Sequence, residues 1–416
     1  MSRIAIVSYF APPQPAVASH RVLRMTRLLE RHGHEVHWVT LDPALLPERD
    51  PTLAALTPAS VVVHGLGGVN LVDRDAENLV EKVVRTVVFA LPHKVPALDR
   101  HVEWGWRLRR RLPRIVREAG VDTVLLCCGP HGQLTALPAL RRACPDVRIL
   151  VDYRDLLSGN TWRQAPSERL RAGVRRRERA LLGHADVLFL NTADARQKFE
   201  ETIGPIDGLR IELMRNTADY ELAERVAEMA APVDFGPGTH LGFFGTVYPR
   251  RRLLPLLRAM AALEAAELER LTLHVYCDAR GSADLLEEDL NAVGGAVRQR
   301  VIRHDFLGYG DALRTMLATD ALVLINSPDA ADQIFIPGKL YDYLMARRPI
   351  LFFGDRGDAW EICAETTGDG WCFTHEETAA AADRLRRLIA ARPADVPESD
   401  AHRPEASFAP LLAALR

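Results

Sequence analysis

Lys339 and Asp342 lie three residues apart, directly after what reads as a buried strand. The stretch runs Asp320-Ala-Leu-Val-Leu-Ile-Asn-Ser-Pro, then Ile336-Pro-Gly-Lys-Leu-Tyr-Asp-Tyr-Leu, then Arg348-Pro-Ile-Leu-Phe-Phe-Gly354. Ala321 to Ile325 is almost wholly apolar, as in a strand covered on both faces. Pro337 suits a first helical turn, where its missing N–H costs nothing. In a strand–loop–helix unit the helix N-terminus meets the carboxyl end of the strand, where anions bind. A cation at position 339 and a carboxylate on the same face at 342 can hold a phosphate and a sugar hydroxyl. The alternative is a solvated lysine on a helix end. The residue type itself is informative, because only four of the 53 Lys+Arg are lysines: Lys82, Lys94, Lys198 and Lys339.

A second basic loop, Gly245-Thr-Val-Tyr-Pro-Arg-Arg-Arg252, also lies between a strand and a helix. Gly245 permits a tight turn. Arginines there, opposite Lys339, would clamp a diphosphate. The bland alternative is a basic loop in an arginine-rich chain. In the N-terminal half Cys128-Gly-Pro-His131 places a histidine after a strand, where a structural role and a ligand role are both open. Val151-Asp-Tyr-Arg-Asp155 ends another strand and packs three charges into four residues, as in a salt-bridged turn or a site wall. Arg21 opens the helix after the first strand.

These residues are positioned by short apolar strands alternating with helical patterns. Expected strands are Ile4–Ser8, Val36–Thr40, Ser60–His64, Val121–Cys127, Arg148–Asp152 and Ala185–Asn191, with helices at Ser19–His32, Leu134–Ala143 and Ser167–Leu182. A second series has strands at His240–Phe244, Leu271–Tyr276 and Val301–Asp305, and helices at Leu253–Leu263, Asp284–Ala292, Tyr309–Thr319 and Ala379–Ala391. Such alternation predicts parallel, doubly wound sheets. The expected division is an N-terminal domain over 1–218, a hinge over 219–238, a C-terminal domain over 239–396, and a tail over 397–416 that docks back on the body. Two layered domains imply a ligand cleft between them.

The 416 residues carry a net charge of -2 and are 48% hydrophobic. That balance offers no support for a nucleic-acid partner held by overall charge. No run approaches the roughly 20 apolar residues of a membrane span. The six cysteines show no C-x-x-C pair and no metal-ligand spacing, so buried free thiols in a reducing cytoplasm are expected. The segment Arg100–Val116, with Trp104, Trp106 and many arginines, is either a helix packed on the sheet with a solvated basic side or a face lying on an anionic membrane. Asp73-Arg-Asp75 is formally a D-x-D and reads as an exposed acidic loop. No G-x-G-x-x-G follows the first strand, which argues against a nicotinamide enzyme. Walker, H-E-x-x-H and G-x-S-x-G patterns are absent too.

Taken together, the segments resemble the bacterial GT-B glycosyltransferases of the large retaining, family 4-like group. The resemblance covers nearly the whole chain. It rests on Ile4-Ala-Ile-Val-Ser-Tyr-Phe-Ala-Pro-Pro13, Ser19-His-Arg-Val-Leu23, His32-Gly-His-Glu-Val-His-Trp-Val-Thr40, Gly129-Pro-His131, Asp152-Tyr-Arg-Asp155 and His184-Ala-Asp-Val-Leu188 in the first half. In the second it rests on Arg215-Asn216, Phe244-Gly-Thr246, Thr319-Asp-Ala321 and Ile336–Leu344.

The resemblance implies two Rossmann-like domains facing a cleft. It also implies transfer of a sugar from a nucleotide-diphosphate sugar, with UDP as the default, to an acceptor hydroxyl with retention. The acceptor would be a sugar, a lipid-linked sugar or a small aglycone. No cofactor or metal is expected, because Lys339 with Arg250 or Arg251 takes the metal's place on the leaving diphosphate. His131 matches a histidine facing the donor sugar. Gly245, Thr246, Phe306, Asp332, Pro337, Gly338 and Asp342 are the expected donor contacts, Asp342 at the ribose. Arg21, Asp152, Arg154 and Asp155 are expected on the acceptor side. Two departures stand out: Gln14-Pro-Ala-Val-Ala18 replaces a Gly-Gly pair, and Ile334 replaces a glutamate, leaving Asp329 or Asp332 for the sugar hydroxyls. A nucleotide-sugar epimerase and a catalytically silent partner subunit are the rival functions. A cytoplasmic location follows, with peripheral contact at the inner face of the membrane as a variant.

Overall fold

The structure, a computed structural model, describes the chain apart from residues 69–71, 73–77, 161–165, 279–280, 330–331 and 333, and apart from the side chains of 91–93. Asp73-Arg-Asp75 lies outside the described residues. The chain divides into two compact units, Met1–Thr217 with Pro404–Arg416, and Ala218–Arg403.

The first unit is built on a seven-stranded parallel sheet: β1 (Arg3–Val7), β2 (Glu35–Leu41), β3 (Val62–Leu66), β4 (Thr123–Cys128), β5 (Arg148–Tyr153), β6 (Val187–Leu190) and β7 (Arg210–Leu213). The order is β3-β2-β1-β4-β5-β6-β7, so the winding direction reverses between β1 and β4. Buried strands need apolar side chains on both faces, and β4 supplies a fully buried Thr-Val-Leu-Leu-Cys-Cys. On one face Ile4 and Ile6 pack on Val22, Met25, Leu28 and Leu29 of the helix Val17–Arg31, whose apolar residues fall on one stripe. The C-terminal residues Phe408, Leu411 and Ala414 join the same cluster, and Arg31 pairs with Glu405 at 2.9 Å. All six cysteines are buried and unbridged.

The second unit has a six-stranded parallel sheet: β8 (Thr239–Phe244), β9 (Leu271–Tyr276), β10 (Val301–His304), β11 (Ala321–Ile325), β12 (Ile350–Phe353) and β13 (Cys372–Phe373). Its order, β10-β9-β8-β11-β12-β13, reverses between β8 and β11. Leu241 and Phe243 of β8 point into a core with Leu273, Val323 and Phe353. Phe244 points the other way, stacking on Tyr276 with ring centroids 4.7 Å apart.

The two doubly wound parallel sheets are those expected. The differences lie where a local signal was short or interrupted. The expected helix Leu134–Ala143 begins instead as a tight three-residue-per-turn segment, His131–Ala136, and becomes α-helical only from Leu137. Pro138 explains this, because proline fits the first turn of a helix and not its middle. Residues 219–238 contain a helix, Tyr220–Glu228, capped by Asp219, which accepts from the Leu222 N–H at 3.1 Å. Strand β7 has exposed ends at a sheet edge and β13 has two residues, so neither carries the apolar run that marks a buried strand.

Candidate functional site

In an open parallel sheet the loops at a winding reversal part from each other and leave room for a ligand at the strands' carboxyl ends. In the second unit those loops follow β8 and β11, and they contain Gly245 and Lys339. The helix carrying the lysine, Lys339–Ala346, begins just after the N-cap Gly338, with Pro337 one residue outside it. Tyr343 lies one turn further along. Its hydroxyl accepts from the Phe244 N–H at 3.0 Å and donates to the Val323 carbonyl at 3.2 Å. One side chain therefore fastens the helix to both strands of the reversal and fixes where Lys339 stands. Burial pushes the Tyr343 hydroxyl well above its ordinary range, so it remains a neutral donor.

The Lys339 ammonium lies 4.0 Å from the centre of the Phe243 ring, a cation–π contact. Burial, and then the positive charge of Arg251, lower its pKa from 10.5 to about 7. Among the described residues no carboxylate is within ion-pair reach of it. A buried ammonium normally acquires a carboxylate or loses its proton. Here the charge acting on it is that of a second cation, Arg251. Gly245 is required beside it. Its φ is +118°, and a Cβ there would lie 3.5 Å from the Lys339 Nζ. The adjoining backbone is held by Gly245 N–H to Tyr276 O at 2.9 Å and Val247 N–H to Ser282 Oγ at 2.9 Å, with Thr246 half-buried between them.

The three arginines of the 250–252 run diverge. Arg251 is half-buried next to Lys339. Arg252 turns away to Asp289 at 2.9 Å and Glu288 at 3.0 Å. Arg250, about half exposed, reaches Asp329 and Asp332, each at 3.4 Å. Asp332, one of the expected donor contacts, has its carboxylate fully buried against Arg250, which ties it to the loop after β8. Arg250 correspondingly acts as a tether, and the inner position beside Lys339 belongs to Arg251. Asp342 is half-buried on the same helix. Phe306 is exposed past the end of β10, the edge strand two places from β8.

The sequence reading missed Asn326. It follows β11 immediately, is fully buried, and among the described residues neither its side-chain oxygen nor its nitrogen has a partner. Its backbone is fixed by Asn326 N–H to Phe353 O at 2.7 Å and by His375 Nε2 donating to its carbonyl at 3.0 Å. A buried amide without partners at a strand end is a candidate ligand contact. The only sequence signal was a polar residue directly after a wholly apolar strand.

In the first unit the loop after β4 carries His131, and the loop after its neighbour β5 carries Arg154 and Asp155. His131 is buried, donates from Nε2 to the Asp155 carbonyl at 3.1 Å, and meets the edge of Tyr153 with centroids 5.0 Å apart. Arg154 is half-buried and Asp155 exposed. Behind them lies Glu178, fully buried, accepting from the Ser158 N–H at 3.2 Å. Burial raises its pKa to about 7.

Arg21 and Asp152, expected on the acceptor side, are engaged with each other. They form a two-pronged ion pair, both bonds 2.8 Å, with side chains 3% and 1% exposed. The remaining Arg21 N–H groups go to Asn216 Oδ1 at 2.8 Å and to the carbonyls of Arg215 and Met214 at 3.0 Å each. All five guanidinium donors are thus used within the protein. The pair is scaffold, linking the first helix, β5 and the end of β7.

Residues 18–222 match the model of Glycosyltransferase Family 4. No curated protein matches the chain by sequence. Among solved structures it is similar to an α,α-trehalose-phosphate synthase (UDP-forming) of Burkholderia xenovorans, with TM-score 0.60, 13% identity and coverage of 99% of this chain and 96% of that one. It is also similar to HepE of Anabaena in complex with UDP, with TM-score 0.57, 12% identity and coverage of 100% and 99%. A third similarity is to sucrose-phosphate synthase of Thermosynechococcus elongatus, with TM-score 0.56, 14% identity and coverage of 94% and 90%. At such identities these likenesses speak for the fold. The match over residues 18–222 and the two-sheet architecture are those expected of a family 4-like GT-B glycosyltransferase.

Proposed function

We propose that the protein transfers a glycosyl residue from a nucleoside-diphosphate sugar to an acceptor hydroxyl, with retention and without a metal or other cofactor. The observation that carries this is the Lys339–Arg251 pair: two cations side by side, at the winding reversal of the second sheet, with no carboxylate on the lysine among the described residues. A diphosphate supplies the missing negative charge. As the glycosidic bond breaks, negative charge grows on the leaving phosphate. Cations held in place beforehand stabilise that growth more than they stabilise the bound donor.

Lys339 and Arg251 are the proposed leaving-group contacts, with Gly245 and Thr246 giving the backbone close approach. Asn326 and Asp342 are the proposed hydroxyl or base contacts. In the first unit His131 and Arg154 are the proposed groups near the transferred sugar. The leaving phosphate takes the acceptor proton as the acceptor attacks on the same face, so no protein nucleophile is required. Neighbours solved with UDP or UDP-2-fluoroglucose make UDP-sugars the first donors to try. The sugar phosphate bound in another neighbour makes phosphorylated sugars reasonable first acceptors, with lipid-linked sugars and aglycones next.

The test is a thermal-shift panel of nucleotide sugars, followed by product detection with and without EDTA. A donor that stabilises the fold should also yield a glycosylated product, unchanged by chelation. Lys339→Ala should lose on the order of 2–4 kcal/mol of transition-state stabilisation. Conversion of the donor sugar without any acceptor would indicate an epimerase. Donor binding with no turnover across the acceptor panel would indicate a silent subunit. Full turnover in Lys339→Ala would overturn the proposed role of the lysine.

A further inference from the structure

The helix Leu79–Lys94 of the first unit is turned inside out. An amphipathic helix on a soluble protein buries its apolar stripe. Here Leu79, Val80, Val83, Val84 and Val87 are 76%, 72%, 57%, 40% and 55% exposed. At 100° per residue they fall within an arc of about 140°, a single continuous stripe. The opposite side holds Phe89, which lies against the guanidinium groups of Arg85 at 5.4 Å and Arg100 at 4.5 Å. The next helix, Val102–Glu118, also exposes apolar side chains, Val102 at 44% and Trp106 at 53%. Arg110 lies 4.0 Å over the Trp106 ring. Trp104, the other tryptophan of that segment, is in the core with its indole N–H on Gln133. An exposed apolar stripe of this kind marks a binding surface.

Charge identifies the occupant. Residues 79–114 carry nine Lys or Arg against three Asp or Glu, a net +6, in a chain whose total is -2. We propose that the first unit docks on an anionic lipid surface. The Leu79–Val87 stripe and Trp106 would enter the headgroup boundary, with Lys82, Arg85, Arg100 and Arg110 set around them for lipid phosphates. Valines, a tryptophan at the interface and a basic surround are the composition of an interfacial helix. A second copy of the chain fits less well, because a two-fold contact through this patch would set like charge against like. Among the described residues no helix is long and apolar enough to cross a membrane, so the contact is peripheral. The proposal rests on surface and charge and is independent of the donor chemistry.

Flotation of the whole protein with vesicles tests it. Vesicles containing phosphatidylglycerol should carry the protein, and pure phosphatidylcholine vesicles should carry at least about tenfold less. The double substitution Val80→Asp/Val84→Asp should lower partitioning on the anionic vesicles at least about tenfold, since it puts charge into the stripe. Arg100→Glu/Arg110→Glu should weaken it as well. Raising salt from 0.1 M to 1 M should also weaken it, since the Debye length falls from about 10 Å to about 3 Å. The positions are exposed, so melting temperatures should remain those of the parent protein, which separates lost binding from lost folding. Failure to float with anionic vesicles, or flotation indifferent to the aspartates, overturns the proposal. So does a wild-type dimer that the aspartates make monomeric, seen by light scattering, without vesicle binding.

Discussion

The proposed contact of the donor diphosphate with Lys339 would make donor binding a protonation event, and this can be measured directly. In the free protein its pKa is about 7, so at neutral pH about half of the molecules carry the ammonium. A diphosphate placed against it favours the charged form and raises the bound-state value. Affinity should then fall as pH rises through 7, because each complex must first take up a proton. If the bound-state pKa exceeds 9, the apparent dissociation constant grows by a factor of about 50 between pH 7 and pH 9, or about 2.3 kcal/mol. The ligand interferes little in this window, since a terminal phosphate loses its last proton near pH 6. Arg251 stays charged throughout.

Isothermal titration of UDP in buffers of different ionisation enthalpy gives both quantities. Proton uptake should be about 0.5 per complex at pH 7 and about 0.9 at pH 8. In Lys339→Met both the uptake and the pH slope should disappear, leaving a weaker, flat affinity. Folding stability should show the same group in reverse: a lysine whose folded pKa lies below its unfolded value destabilises below pH 7, and the penalty is relieved as pH rises from 7 towards 10.5. Binding that is level from pH 6 to 9, with no proton taken up, would refute an enclosed, anion-seeking lysine.

Three further outcomes follow from buried polar groups. Asp152→Ala leaves the Arg21 guanidinium buried and uncompensated and should cost about 3–5 kcal/mol in urea unfolding; a cost under about 1 kcal/mol would return Arg21 to the acceptor side. Glu178, with its pKa raised from 4.5 to about 7, is buried as the neutral acid, so stability should decline as pH rises from 4.5 to 7, by up to about 3 kcal/mol. Glu178→Gln should flatten that decline, which melting curves across this range would show. Asn326→Leu should raise stability by about 1 kcal/mol or more, because an amide without partners is removed, while weakening nucleotide binding. An unchanged affinity would remove Asn326 from the site.

The architecture was legible because buried parallel strands need continuous apolar runs, and those of β1, β8, β9, β11 and β12 are unambiguous in the chain. Lys339 was legible for a related reason: a lysine is rare in this chain, and it follows a strand. What sequence could not convey was which opposite charges meet. Asp152 and Asp332 look equally available in a string of letters. One is 2.8 Å from Arg21 across 131 positions, and the other is 3.4 Å from Arg250 across 82. Both were expected at ligands and both pair with a guanidinium far along the chain, as a buried carboxylate must be compensated. Asn326 went unnoticed since its missing partners are a property of the packed interior.

The same topology occurs twice, and its two copies use charge in opposite ways. At the first sheet's reversal, between β1 and β4, the nearby arginine is consumed: five donors, five acceptors, side chain 3% exposed. Nothing remains of Arg21 to hold a substrate. At the second sheet's reversal, between β8 and β11, Arg250 takes Asp332 and Arg252 takes Asp289, and among the described residues no carboxylate is within ion-pair reach of Lys339. A fold gains no stability by keeping two like charges together in a half-buried loop. The arrangement makes physical sense for a partner that arrives from solution with negative charge, which is why the unit built on β8 to β13 is the one assigned to the diphosphate.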